Sequence, residues 1–395
     1  MSEPHPARMG HIAGFSTSPS APPIYQTTAF DIPDLDVLAE IYAGSTVGHI
    51  YTRDSNPNHS ALAESIAMLE RAEAGAVFSS GMGAIAAVAM TLAGCGDHVI
   101  VGRSLYGVTL KLMSRLQQQF AVDVTYVDAC VPNSVAAAVR DNTKFCLIET
   151  VSNPLLEVAD VAAIATALGS VPLVVDSTFT TPELVRPLEQ GAAIVVHSAS
   201  KYLNGHGDVM LGVAAGSAAH MKAVRATSSV LGQNANPFEC WLTQRGLRTL
   251  PLRVRQVCET TAGLAEYLST HPQVSKVYHP SLIAHGTHAT AARLYASGAN
   301  GEIRTGGIVS FVLNGGGKAA VTKFMQLLAT IPFSPTLADS RTTISHPATT
   351  SHGFMTKQER TALGIVDEMI RLSVGLESFE QLRDELDAVL TQLDQ

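Results

Sequence analysis

The chain has 395 residues, 46% of them hydrophobic and 15% charged, with a formal net charge of −8. That length supports two domains, or one large domain with a smaller one appended, and the composition excludes intrinsic disorder. The acidic balance argues against nucleic acid or an anionic membrane surface as a partner, since both demand a basic face, and no apolar run reaches the ~18 residues of a membrane span.

The apolar richness predicts that part of the surface is buried between subunits. Met1 to Gly14 is polar and lacks an apolar signal core, so export is not expected. The five cysteines are odd in number, scattered and without a Cys-x-x-Cys pair. They read as reduced core residues of a cytoplasmic protein, with no metal among their expected roles.

In chain order, residues 1–58 are rich in Pro, Thr, Ser and Gly, with one short helical candidate at Leu35 to Tyr42; they read as an N-terminal arm laid over another surface. Residues 59–250 alternate short apolar runs with helical patterns. Leu62, Ile66 and Leu69 mark a helix face, and strands are predicted at Ala76 to Phe78, His98 to Val101, Phe145 to Ile148, Leu173 to Val175 and Ile194 to Val196. Such alternation implies an α/β unit with a mainly parallel sheet covered by helices on both faces, its functional residues in loops at the strands' C-terminal ends. Residues 251–395 read as a smaller α+β domain: a long helix, a strand at Gly307 to Leu313, a Thr/Ser/His/Pro-rich loop from Ser334 to His352, a strand near Ile370 to Val374, and a closing amphipathic helix using Phe379, Leu382, Leu386, Val389 and Leu393.

Lys201 is the most informative residue. The apolar stretch before it reads as a buried strand and the run to Asp208 as a polar loop. An amine at that edge is partly desolvated, so its neutral, nucleophilic form becomes available for a Schiff base. Asp176 ends another apolar strand, and the two residues could clamp opposite ends of a flat aromatic cofactor, imine at one end and ring nitrogen at the other. Ser198 and Ser200 offer hydroxyls to a phosphate, so the set points to pyridoxal 5′-phosphate. Ser79 to Gly83 follows a strand and opens a helix, which places the N–H groups of Gly81 and Met82 where an anion is favoured, although the same glycines suit a tight turn. Tyr106 fits either a ring stacked on the cofactor or half-buried packing. Tyr51 and Arg53 add a phenol and a fixed positive fork within the arm.

These ordered segments resemble the pyridoxal-phosphate-dependent transsulfuration family, which includes cystathionine γ-lyase, cystathionine γ-synthase, methionine γ-lyase and O-acylhomoserine sulfhydrylases. The likeness is collinear through Tyr51 to Pro57, Ser79 to Ile85, Leu105 to Thr109, Glu149 to Pro154, Val175 to Pro182, His197 to Gly207, Arg245 to Leu250, His346 to His352 and Ile370 to Glu377. It implies the fold type I architecture, with a mainly parallel seven-stranded sheet. By resemblance, Lys201 is the cofactor-bearing lysine and Asp176 the partner of the pyridine nitrogen. Tyr106 is the stacking tyrosine, and Gly81, Met82, Ser198 and Ser200 hold the phosphate. Tyr51 and Arg53 would reach that phosphate from a neighbouring subunit, in a homotetramer built from dimers with sites shared across the dimer interface. Arg371 would clamp the substrate α-carboxylate with Asn153 beside it, and Thr336 would offer a hydroxyl. The implied activity is γ-elimination from a γ-substituted homoserine-type amino acid such as methionine, cystathionine or canavanine. Lys201 would act as base and Tyr106 or Tyr51 as acid; γ-replacement, as in O-acylhomoserine sulfhydrylases or cystathionine γ-synthase, is the alternative.

Some positions depart from the subgroups. Val108 stands where methionine γ-lyases carry a cysteine, and Pro335 to Asp339 stands where cystathionine γ-lyases carry a glutamate before a Ser-Leu-Gly-Gly run, with no acid placed to read a distal ammonium. His346 to His352 is closer to the sulfhydrylases, whereas Lys201 to Asp208 and Ser80 to Gly83 are closer to the γ-lyases. Ser177 and Ser200 replace a usual asparagine and threonine. Two rival classes are weaker: a cofactor-binding scaffold without catalysis, which the full residue set disfavours, and a zinc enzyme built on His285 and His288 or His346 and His352, whose spacings fit no standard ligand set.

Overall fold

A computed structural model describes residues 19–295 and 303–393. The first 18 residues of the predicted arm and the last two of the chain lie outside the described residues.

The central sheet has seven strands: β1 (Ala74–Phe78), β2 (His98–Gly102), β3 (Asp123–Val127), β4 (Thr143–Glu149), β5 (Leu173–Asp176), β6 (Ile194–Ser198) and β7 (Gly212–Gly216). Their order is β1-β7-β6-β5-β4-β2-β3, with β7 antiparallel to both neighbours and the remaining pairs parallel. The sheet is doubly covered, so its central strands are apolar on both faces. Val174, Ile194 and Val196 face helices Gly81–Leu92 and Ala218–Leu231, while Val195 faces helix Pro57–Glu70 and Leu173 and Val175 face helix Val161–Leu168. A second, four-stranded antiparallel sheet follows: β8 (Val274–Tyr278), β9 (Ile308–Leu313), β10 (Thr343–Ser345) and β11 (Met369–Ser373), in the order β10-β11-β9-β8. Helix Leu250–Thr270 joins the two sheets, and the closing helix Phe379–Gln392 buries Leu382, Leu386 and Val389 against the smaller one.

Three sequence readings are corrected. The segment from Ser334 to His352 is not all loop, because Thr343–Ser345 pairs with Ser373, Leu372 and Arg371. Strands β3, β7 and β8 were not anticipated. Cys95 is exposed and not a core residue, although Cys146, Cys240 and Cys258 are buried.

The arm from residue 19 is fixed by polar contacts. Trp241 Nε1 donates to Pro22 O at 2.8 Å, and Asn58 Oδ1 accepts from Tyr25 N–H at 2.8 Å. Its helix Leu35–Ala43 buries no residue against this chain. Among the described residues, no helix is long and apolar enough to cross a membrane.

Candidate active site

The C-terminal ends of the parallel strands open into a cavity of about 640 Å³. Its walls bring together Lys201, Asp176, Gly81, Met82, Ser198, Ser200, Tyr106, Asn153, Thr336 and Arg371. This is where an open α/β sheet places its ligand.

Lys201 follows β6 in a tight turn in which its N–H donates to Ser198 O and its carbonyl accepts from Gly205 N–H. Its Nζ donates to Thr336 Oγ1 at 3.2 Å. Burial, and then the nearby Arg371 cation, lower the lysine's pKa below its ordinary value. Arg371, on β11, is buried and pairs with no carboxylate among the described residues. Its Nη1 donates to Asn153 Oδ1 at 3.0 Å and its Nη2 to Thr336 O at 3.1 Å, while Nε has no partner among the described residues. Desolvation brings its pKa down to about 10. A buried cation held only by neutral acceptors is costly unless an anion completes it, so this arrangement suits an incoming carboxylate.

Asp176 closes β5. Its Oδ1 accepts from the Thr178 N–H at 2.9 Å and the Thr178 hydroxyl at 2.5 Å. Burial raises its pKa, and these two hydrogen bonds oppose the rise. The Thr178 hydroxyl in turn accepts from Ser198 N–H at 2.8 Å.

At the opposite end, Ser80 caps helix Gly81–Leu92 by accepting Gly83 N–H at 3.0 Å, so the N–H groups of Gly81 and Met82 have no acceptor within the helix. A Cβ on Gly81 would meet the Ser198 Cβ at 2.7 Å, so only glycine lets the helix N-terminus approach that serine. The Ser200 hydroxyl accepts from Leu211 N–H at 2.8 Å, which anchors it at the rim. Two N–H groups without a helical acceptor, a helix N-terminus and two serines fit a phosphate. A carboxylate at one end and a desolvated amine at the other fit the pyridine ring and the aldehyde carbon.

Tyr51 and Arg53 do not join this cavity. They line a separate surface groove of about 530 Å³ with Thr27, Thr28, Asn234 and Asn236, the Arg53 guanidinium lying 5.4 Å from the Tyr51 ring centre. The histidines raised as metal ligands are bonded to protein groups: His285 Nε2 to Leu155 O, His288 Nδ1 to Pro280 O, His346 Nε2 to Asp367 O, and His352 Nδ1 to Ser351 Oγ. Among the described residues, no three His, Cys, Asp or Glu side chains are grouped to hold a metal ion.

Sequence reasoning missed two cavity-floor residues. Thr178 sits two positions past Asp176, the spacing at which an aspartate binds its own downstream backbone. Glu149 ends β4 as Asp176 ends β5, and the two are register partners; the signal that picked out Asp176 was therefore present for Glu149 as well.

Comparison with known proteins agrees with this geometry. A family model described as "Cys/Met metabolism PLP-dependent enzyme" matches residues 7–391. An L-methionine gamma-lyase of Porphyromonas gingivalis is 39% identical, the match covering 92% of this chain and 90% of that protein. An O-succinylhomoserine sulfhydrylase of Pseudomonas aeruginosa is 37% identical, covering 92% and 89%. The crystal structure of cystathionine gamma synthase from Xanthomonas oryzae pv. oryzae in complex with aminoacrylate and cysteine superposes with a TM-score of 0.91 at 35% identity, covering 98% of this chain and 97% of that one. The doubly covered sheet is thus the fold type I architecture, and the chain belongs to the Cys/Met metabolism family of pyridoxal-phosphate-dependent enzymes.

Proposed function

We propose that the enzyme catalyses γ-elimination on a γ-substituted L-homoserine-type amino acid, with methionine, cystathionine and canavanine as the candidate substrates. The observation that carries the reading is the meeting of Lys201 Nζ, Thr336 Oγ1 and Arg371 at one wall of the cavity that Asp176 floors. An α-amino acid whose carboxylate reaches Arg371 brings its α carbon toward Lys201.

When bound, pyridoxal 5′-phosphate supplies an electron sink for the pair left at the α carbon. Asp176 would hold the ring nitrogen, and the N–H groups of Gly81 and Met82 with Ser198 and Ser200 would hold the phosphate. Lys201 would first anchor the cofactor and then, released by the substrate amine, take the α proton on Nζ; its lowered pKa favours the neutral base. Arg371 and Asn153 would fix the carboxylate in two-point geometry, and Thr336 would steady both the lysine and the substrate. Tyr106, at the cavity wall, would donate its phenolic proton to the departing γ group, with Tyr51 as the other candidate. We further propose that Tyr51 and Arg53 serve the phosphate of a neighbouring subunit in a homotetramer. Their place in a separate groove and the unburied arm helix support that reading. The division into an arm (1–58), a cofactor-binding unit (59–250) and a smaller unit (251–395), and a cytoplasmic location, belong to the same proposal.

Elimination is favoured over replacement by the methionine γ-lyase relatives. The sulfhydrylase relative and the cystathionine γ-synthase neighbour favour γ-replacement as a second reading. The deciding experiment incubates the enzyme with methionine, cystathionine, O-acetyl- and O-succinylhomoserine and canavanine, with and without sulfide, and identifies products by mass spectrometry. Elimination yields 2-oxobutanoate without sulfide; homocysteine formed only with sulfide, and no oxoacid, refutes it.

A further inference from the structure

Two carboxyl groups share the cavity floor, and the proposed chemistry uses only one. Glu149 and Asp176 are register partners on adjacent parallel strands, so their side chains leave the same face one strand spacing apart, about 4.8 Å. Both line the cavity. Two carboxyl groups on neighbouring strands of one desolvated site repel each other when both are ionised, which favours a proton held between them.

Hydrogen bonds decide where that proton sits. Asp176 receives two donors from Thr178, and Ser198 N–H occupies the Thr178 oxygen from behind, so the Thr178 proton is directed at the aspartate. His197 on β6 also favours the ionised aspartate. Glu149 receives one donor, the Tyr106 N–H at 2.7 Å. That N–H heads helix Gly107–Phe120, which has no side-chain cap of its own, so Glu149 is the group that ties the Tyr106 backbone to the floor. The other titratable groups lining the cavity are Lys201 from the turn after β6, Arg371 from β11 and the Tyr106 phenol.

We propose that the Glu149–Asp176 pair carries one proton in the working enzyme, that it resides on Glu149, and that this neutral carboxyl is a positioning residue holding Tyr106 over the cavity. Burial first, and the Asp176 charge second, push Glu149 well above the usual carboxylate range, in agreement with this placement. A neutral Glu149 leaves Asp176 the sole anion facing the ring nitrogen. The inference rests on the reading of Asp176 given above.

The test compares Glu149→Gln, which keeps a neutral acceptor of nearly the same shape, with Glu149→Ala. The readouts are cofactor affinity by titration of cofactor-free protein, and the infrared stretch of a protonated carboxyl in the holoenzyme. Glu149→Gln is expected to stay within about threefold of the parent affinity and to lose the protonated-carboxyl band, whereas Glu149→Ala weakens the cofactor about tenfold. Glu149→Gln as damaging as Glu149→Ala, or a band that persists in Glu149→Gln, overturns the assignment. Asp176→Asn is the control for the reading beneath it: unchanged affinity there removes the ring-nitrogen role and this proposal with it, whereas failure of Glu149→Gln alone leaves that role standing.

Discussion

The hydroxyl of Thr178 joins the two ends of the cofactor cavity, donating to Asp176 Oδ1 at 2.5 Å while accepting from Ser198 N–H at 2.8 Å. One side chain thereby hydrogen-bonds both the floor carboxyl and the backbone of Ser198. Thr178→Val keeps the shape and removes both bonds, leaving Asp176 with the backbone N–H alone. Cofactor affinity is expected to fall about tenfold, with Thr178→Ser near the parent. Titration of cofactor-free protein checks this, and equal affinities for the valine and serine variants would disprove the link.

The lysine's environment makes a pH prediction. A base with a depressed pKa releases its proton at lower pH, so the nucleophilic form of Lys201 is reached below the ordinary 10.5. Cofactor capture by the cofactor-free protein should therefore accelerate with pH through a midpoint below that of free lysine. Arg371 is the second cause of the shift. In Arg371→Gln the midpoint should move to higher pH, and substrate KM should rise about a hundredfold as the carboxylate loses its partner. A capture midpoint indifferent to Arg371 would show that its charge does not reach the lysine.

Much of this was legible in the sequence because of where the apolar runs stop. Asp176 ends, and Lys201 closely follows, a run buried on both faces, and a charged group at such an edge stands out. The strands that escaped notice lack that contrast. β7 is Gly-Val-Ala-Ala-Gly, with little β-branched or aromatic character. β3 and β8 are sheet-edge strands whose exposed polar positions read as loop. The three residues of β10 form a strand only because β11 lies alongside, a tertiary cause that local pattern does not carry. Tyr51 and Arg53 were legible as a motif, but their place in a separate groove is set by the path of the arm.

That separation has a direct test. Arg53→Ala and Lys201→Ala are each expected to be nearly inactive as pure oligomers. When the two are unfolded, mixed and refolded together, hybrid interfaces should pair an intact Lys201 site with an intact Arg53 from the other chain, and activity should reappear. No recovery in hybrids verified by native mass spectrometry would confine Arg53 to its own chain or to no role.

Acid stability should bear the mark of His279. Its ring is fully buried between Ser281 Oγ at 2.6 Å and Thr305 Oγ1 at 3.3 Å, and burial pulls its pKa down to about 3 from 6.5. The unfolded chain takes up a proton below pH 6.5 that the folded chain refuses until about 3, so this group costs stability as pH falls through that window. His279→Gln should flatten the acid limb of the urea-unfolding midpoint by roughly one proton. An unchanged limb would mean that the ring is protonated in the fold.

The lysine loop is held from below by a cation that no acid answers among the described residues. Arg253, in helix Leu250–Thr270, donates Nη1 to Tyr202 O at 2.7 Å and Nη2 to Gly246 O at 2.9 Å, and it also reaches Leu203 O. Gly205 makes room for it at φ 75°, since a Cβ there would fall 1.9 Å from Nη1. Three carbonyls, two of them directly following Lys201, thus depend on one guanidinium, whose pKa burial lowers to about 10. Arg253→Met preserves the packed stem but strands those carbonyls, and a loss of about 3 kcal/mol in unfolding free energy is expected. Arg253→Lys, with a single point charge in place of the fork, should recover only part of it. Urea melts of the cofactor-free protein measure the loss apart from any effect of the cofactor. A methionine variant within about 0.5 kcal/mol of the parent would mean that the turn behind Lys201 is held by its own backbone bonds.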